Sequence, residues 1–87
     1  MDWLHIAGRD IGITPYAARR MVTRGIAMED VRTVLARPTS LTPSRDSPAR
    51  LVCRRSVRGR RLVVVIEVVS GESRWHVVTT WEEGQDG

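Results

Sequence analysis

The chain has 87 residues, enough for one domain and too few for two that fold independently, and its 41% apolar and 28% charged residues exclude collagen-like, mucin-like and disordered chains. Its longest apolar run, Leu62 to Ile66, is five residues against the roughly 20 of a membrane span, and Met1-Asp2-Trp3 has neither the basic opening nor the apolar stretch of a secretory leader, so a cytoplasmic location is expected. All 14 basic residues are arginine, against 10 acidic ones, for a formal charge of +4, while one cysteine (Cys53) and two distant histidines (His5, His76) supply no disulfide or metal box, so neither metal nor cofactor is expected.

Residues 1–11 offer Trp3, Leu4 and Ile6 as apolar contacts before a turn at Ala7-Gly8-Arg9-Asp10, and read as an irregular segment or a short edge strand. Thr14-Pro15 starts a helix, because threonine caps free amides and proline in the first turn loses no needed donor; Gly25 stops it. On that helix, over about 14–24, Ala17 with Met21 and Ala18 with Val22 form an apolar stripe, and Tyr16, Arg20 and Arg24 form the neighbouring row. A second helix over about 27–37 carries Glu29 and Asp30 at its positive end and Val31, Val34 and Leu35 at core spacing, until Pro38 ends it. The stretch from Pro38 to Pro48, with three prolines, reads as a loop or a frayed edge strand.

From Ala49 the period becomes extended. Strands over 49–57 and 60–69 flank Arg58-Gly59, a hairpin signal, and a third over about 74–81 follows a turn at Ser70-Gly71-Glu72. Leu62 to Ile66 are apolar on both faces, so their strand is expected to be central. The expected fold class is α+β: one domain, two helices packed on a three- to four-stranded antiparallel sheet, with an acidic tail at 82–87. Two helices cover one face, which leaves Val63, Val65 and Val78, or the opposite set, for the N-terminal segment with Trp3 as plug, or for another chain, a homodimer being the simplest.

Charge points to a partner. Between Arg45 and Arg61 seven arginines face Asp46 alone, a local +6. Guanidinium forks match phosphate oxygens and stack on bases, so RNA is the expected ligand of Arg54, Arg55, Arg58, Arg60 and Arg61, a solvated strand face being the plain alternative. No Walker loop, dinucleotide glycine turn or nucleophile elbow occurs. What remains for chemistry is Tyr16, Arg20, Arg24, His76 and Thr79. RNA carries its own nucleophile, the 2′-hydroxyl, so cations for the phosphorane and one group that moves protons are sufficient. Each has a plain reading beside this: Tyr16 as first-turn packing, Arg20 and Arg24 as a solvated helix face, His76 as a satisfied strand residue. Trp75 and Trp81, two-residue steps from Val77, read as core, or less often as base-stacking platforms, and Cys53 as a small buried hydrophobe.

The run Thr14-Pro15-Tyr16-Ala17, Arg20-Met21, Arg24-Gly25-Ile26, then Glu29-Asp30-Val31 and Val34-Leu35, resembles the bacterial domain-of-unknown-function family 4258, as does Gly59 to Val65 followed by Val77 to Trp81. The resemblance covers about residues 13–81. That family is similar to RelE/ParE toxins and small metal-free ribonucleases, which implies helices then strands, RNA cleavage and an antitoxin partner. Where the family pattern has histidine before alanine this chain has Tyr16, so a histidine acid or base does not carry over to that position; Arg20 and Arg24 match. Three functions follow as expectations: a toxin-like, metal-independent endoribonuclease working through 2′-hydroxyl attack; a catalytically silent RelE-like module that binds RNA or a partner protein; and a DNA binder, from the helix pair joined at Arg24-Gly25-Ile26.

Overall fold

The computed structural model describes residues 2–68 and 74–84. Among these, six strands and two helices follow in the order β1 (Asp2–Ile6), β2 (Arg9–Ile13), α1 (Pro15–Arg24), α2 (Met28–Ala36), β3 (Ser40–Pro43), β4 (Arg50–Val57), β5 (Arg60–Val68) and β6 (Arg74–Glu82). The strands form one sheet in the order β1-β2-β6-β5-β4-β3, antiparallel throughout except for the parallel pair β2–β6. The turn at Ser70-Gly71-Glu72 and the end of the acidic tail lie outside the described residues.

The helices form where local chemistry places them. The Thr14 hydroxyl accepts from the Ala17 N–H at 3.1 Å and donates to the Val77 carbonyl at 2.9 Å, so one side chain caps α1 and ties it to β6. Gly25 ends α1 at φ 63°, a left-handed conformation that costs glycine little. The α1 stripe buries Ala17 and Met21, but Val22, expected beside them, is 83% exposed. Asp30 at the start of α2 is buried, and its Oδ2 accepts from the Ala27 N–H at 3.0 Å.

The expected three- to four-stranded antiparallel sheet is corrected to six strands of mixed direction. Two weak signals at the ends of the pattern account for the difference. Ala7 and Gly8 both take positive φ, 53° and 78°, and close a two-residue hairpin; its strands put Leu4 and Ile11 into the core and extend the sheet by two, covering neither face. Ser40–Pro43 lies against β4 at the far edge, where proline forfeits no ladder bond. Arg58 (φ 51°) and Gly59 (φ 79°) make the expected hairpin turn between β4 and β5.

Both helices lie on one face of the sheet, over Cys53, Leu62, Val64, Ile66 and Val77. Among the described residues the other face carries no helix. Val63 and Val65 point to it and yet are 0% and 7% exposed. Cross-strand neighbours surround them: Arg54 and Trp81 flank Val63, while Val52 and Thr79 flank Val65.

One irregularity changes which residues that face displays. Val65 pairs with Thr79 and Ile66 with Val77, so Val78 is an extra residue, a β-bulge in β6. An unbroken strand would put Val77, Thr79 and Trp81 on one face, the basis for reading Trp81 as core beside Trp75. The bulge leaves Trp75 and Val77 under the helices, turns Thr79 and Trp81 to the open face, and puts Thr80, 0% exposed, into the core, where its hydroxyl donates to the Val63 carbonyl at 2.7 Å.

Deleting Val78 removes the bulge and reverses the facing of the residues on one side of it. The expected outcome is loss of the cooperative unfolding transition in denaturant, whereas Val78→Thr, which keeps the residue count, retains the transition.

Candidate nucleic-acid interface

Strand parity sorts the arginine cluster into two groups. Arg55 and Arg60 share the helix-facing side with Leu62. Arg60 Nε donates to Glu82 Oε1 at 2.7 Å, while Nη1 and Nη2 donate to the carbonyls of Gly25 at 2.7 Å and Arg24 at 3.0 Å, so its guanidinium caps the C-terminus of α1. Arg55 Nη1 donates to the Arg37 carbonyl at 2.7 Å and caps α2, and Arg58 in the turn pairs with the buried Asp30 carboxylate. Three of the five arginines expected to bind RNA therefore hold helix ends.

Arg54 and Arg61 have the opposite parity. Arg54 faces outward beside Val63, held among the described residues by long contacts of 3.5 Å to Thr42 Oγ1 and Glu83 Oε2; Arg61 is exposed opposite Ser56. Such solvent-facing contacts restrain a guanidinium weakly. Arg50 also stands on this face, opposite Glu67.

Between the β3–β4 connection and the open faces of β4, β5 and β6 lies a groove of about 620 Å³. Arg45, Arg50 and Arg54 line it together with Val65, Thr79 and Trp81, and Asp46 is the one carboxylate on its wall. Guanidinium forks, a hydroxyl and an indole beside an apolar patch are the components that hold phosphates and stack bases.

The five residues expected to carry chemistry divide between the two sides of the sheet. Tyr16 and Arg20 lie on the outer surface of α1, where Arg20 Nε donates to Tyr16 Oη at 2.9 Å and the guanidinium sits 5.0 Å from the ring centroid. Arg24 turns inward and donates from Nη1 to the Thr80 carbonyl at 2.9 Å, a bond between α1 and β6. His76 and Thr79 are on the open face. The sheet thus keeps Tyr16, Arg20 and Arg24 away from His76 and Thr79.

His76 sits half-buried between Gly12 on β2 and Glu67 on β5. Trp3 on β1 also pairs with Gly12, and because that glycine has no side chain the Trp3 ring comes within 6.1 Å of the His76 ring. Arg45 and Arg50 belong to the cationic 45–61 segment but not to the five arginines expected to bind RNA, and Glu67 is not among the expected site residues at all. The available signal was Glu67 itself, a carboxylate directly after five apolar residues on a central strand and in the same parity as Val63 and Val65.

The chain matches the family described as "Domain of unknown function (DUF4258)" over residues 13–82. It belongs to that family. The match takes in both helices and β3 to β6, and leaves β1 and most of β2, with Trp3, outside the family's shared portion. Neither a comparison with curated proteins nor one with solved structures gave a match. Among the described residues of this DUF4258 chain no three His, Cys, Asp or Glu side chains group closely enough to hold a metal ion, and no helix is long and apolar enough to cross a membrane.

Cys53 is 2% exposed beneath the helices, and burial pushes its thiol up to about 11. It stays protonated at neutral pH and is a packing residue. A raised folded value means that the folded state keeps a proton which the unfolded state loses first, so its stabilising contribution is complete at neutral pH and declines through the alkaline range up to about pH 11. Denaturant titrations should show the stability advantage of the native chain over Cys53→Ala shrinking between roughly pH 9 and 11.

Arg60→Met should cost on the order of 2–3 kcal/mol, since it strands Glu82 and two helix carbonyls. Arg54→Met should cost less than about 0.5 kcal/mol. Denaturant midpoints at constant slope check both.

Proposed function

We propose that this protein binds single-stranded RNA in the groove on its open sheet face and cleaves it without a metal ion, by attack of a 2′-hydroxyl on the adjacent phosphate. The observation that carries this reading is the groove itself, lined by Arg45, Arg50 and Arg54 with Thr79 and Trp81. Arginine forks bind phosphates, Trp81 offers a ring for a base, and His76 on the same face supplies an imidazole, a group that can give or take a proton. The RelE/ParE-like toxin role that the family resemblance implies is compatible with this surface, as is a neutralising antitoxin, which would have to mask it. Double-stranded DNA fits less well: α1 and α2 spend their apolar faces on the sheet, and among the described residues no third helix supports them as in a helix-turn-helix domain.

A silent RNA-binding module is the second reading, favoured by the sheet that stands between Tyr16, Arg20 and Arg24 on one side and His76 and Thr79 on the other. Product analysis separates the two. Cleavage leaves a 2′,3′-cyclic phosphate and a 5′-hydroxyl, is unchanged by EDTA, and stops when the 2′-hydroxyl at the cut site is replaced by hydrogen; a silent module binds without releasing product.

Affinity for a short single-stranded RNA should fall steeply with salt. Three arginine–phosphate contacts correspond to a slope of log affinity on log salt of about −2 for a single strand. The triple substitution Arg45→Ser, Arg50→Ser, Arg54→Ser should bring the slope close to zero and leave the fold intact. An unchanged slope would remove the groove as the binding surface.

A further inference from the structure

Three chemically distinct side chains stand in one row across the open face. Glu67 on β5 is the register partner of His76 on β6 and also of Arg50 on β4. Their neighbours on either side, Ile66, Val77 and Leu51, belong to the helix-covered layer, so all three point to the open face. Directly opposed residues on adjacent strands have Cβ atoms about 4.5–5.5 Å apart, which brings a carboxylate within reach of an imidazole on one side and a guanidinium on the other.

Apart from the Trp3 ring beside His76, the described residues give these three side chains no polar partner. Each is half-buried, and among the described residues none makes a side-chain hydrogen bond or ion pair, although Arg54, Arg58 and Arg60 close by all do. A carboxylate on a central strand, next to five consecutive buried residues, is a poor choice for packing alone. Arg50 belongs both to the row and to the groove lining, which includes neither Glu67 nor His76, so it is the member of the row that joins it to the groove.

We propose that Glu67 is the general base and His76 the general acid of RNA cleavage on this face, with Arg50 holding the reacting phosphate. The inference rests on the RNA-cleavage reading above and assigns its proton-transfer groups. The Glu67 carboxylate takes the proton of the 2′-hydroxyl as the bond from O2′ to phosphorus forms. The His76 imidazolium gives its proton to the departing O5′ as the bond from phosphorus to O5′ breaks. Arg50, with Arg54 one step along β4, offsets the charge that gathers on the phosphoryl oxygens. No oxidant, metal or further reactant enters, and the products are a 2′,3′-cyclic phosphate and a 5′-hydroxyl. The other charged groups on this face are Arg61 on β5, Arg74 on β6, the His5–Asp10 pair on β1 and β2, Glu83 after β6, and Arg45 with Asp46 on the groove wall.

The test separates binding from turnover. With RNA in single-turnover excess of protein, Glu67→Gln should lower the cleavage rate roughly 10²- to 10⁴-fold with RNA affinity unchanged within a few-fold, and should abolish the acid limb of the pH–rate profile. His76→Ala should lower the rate comparably and abolish the alkaline limb. Glu67→Ala should regain rate on addition of formate, a rescue that a merely structural glutamate would not allow. A folded Glu67→Gln that cleaves at the native rate, or a Glu67→Ala unaffected by formate, overturns the assignment while leaving RNA cleavage standing. Absence of 2′,3′-cyclic phosphate from the folded native chain overturns both.

Discussion

The Arg60 guanidinium joins the two layers of this protein at one point. It donates to the Glu82 carboxylate on β6 and gives two further hydrogen bonds to the last carbonyls of α1, at Arg24 and Gly25. Those carbonyls have no partner within the helix, and a cation placed on them satisfies both their hydrogen-bonding capacity and the negative end of the helix dipole. Arg55 does the same for α2 through Arg37, and Arg58 holds the buried Asp30 at the start of α2. One β-hairpin therefore anchors three of the four helix ends, and Thr14 with its bond to Val77 anchors the fourth. The helices are confined to one face of the sheet, and the opposite face is left to other uses.

That opposite face is assembled by an interruption. The extra residue at Val78 lets β6 bury Val77 and Thr80, although these are three positions apart, and present His76, Thr79 and Trp81 on the other side. Bulges concentrate where a strand must redirect a side chain. Here the redirected pair, Thr79 and Trp81, completes a groove whose charge comes from Arg45, Arg50 and Arg54. At the centre of the open face Val63 lies between the longer Arg54 and Trp81, and Val65 between Val52 and Thr79, so the apolar central strand is itself barely exposed.

The N-terminal hairpin has a separate place in this arrangement. The DUF4258 match begins at residue 13, after most of β2, yet the hairpin pairs in parallel with β6 and delivers Trp3 across Gly12 to the edge of His76. The surroundings of His76 are thus partly supplied by residues outside the matched portion of the chain.

Local signals in the sequence sufficed for the parts of the fold that close over a few residues. Thr14-Pro15 and Gly25 bounded α1, Glu29-Asp30 and Pro38 bounded α2, and Arg58-Gly59 made the hairpin, because caps, ring constraints and positive φ act within one turn of chain. The cationic character of the 45–61 segment was equally legible, being a matter of composition. Tertiary structure alone decided the number of strands, the parity of β6 beyond Val78, and which arginines hold helices and which face the groove. Each of these depends on a partner far along the chain: Arg60 on Arg24, Arg24 on Thr80, Glu67 on both Arg50 and His76. A side chain's period along its own strand says that it alternates; only the register with distant strands says which face it lands on, and one unpaired residue is enough to reverse the answer.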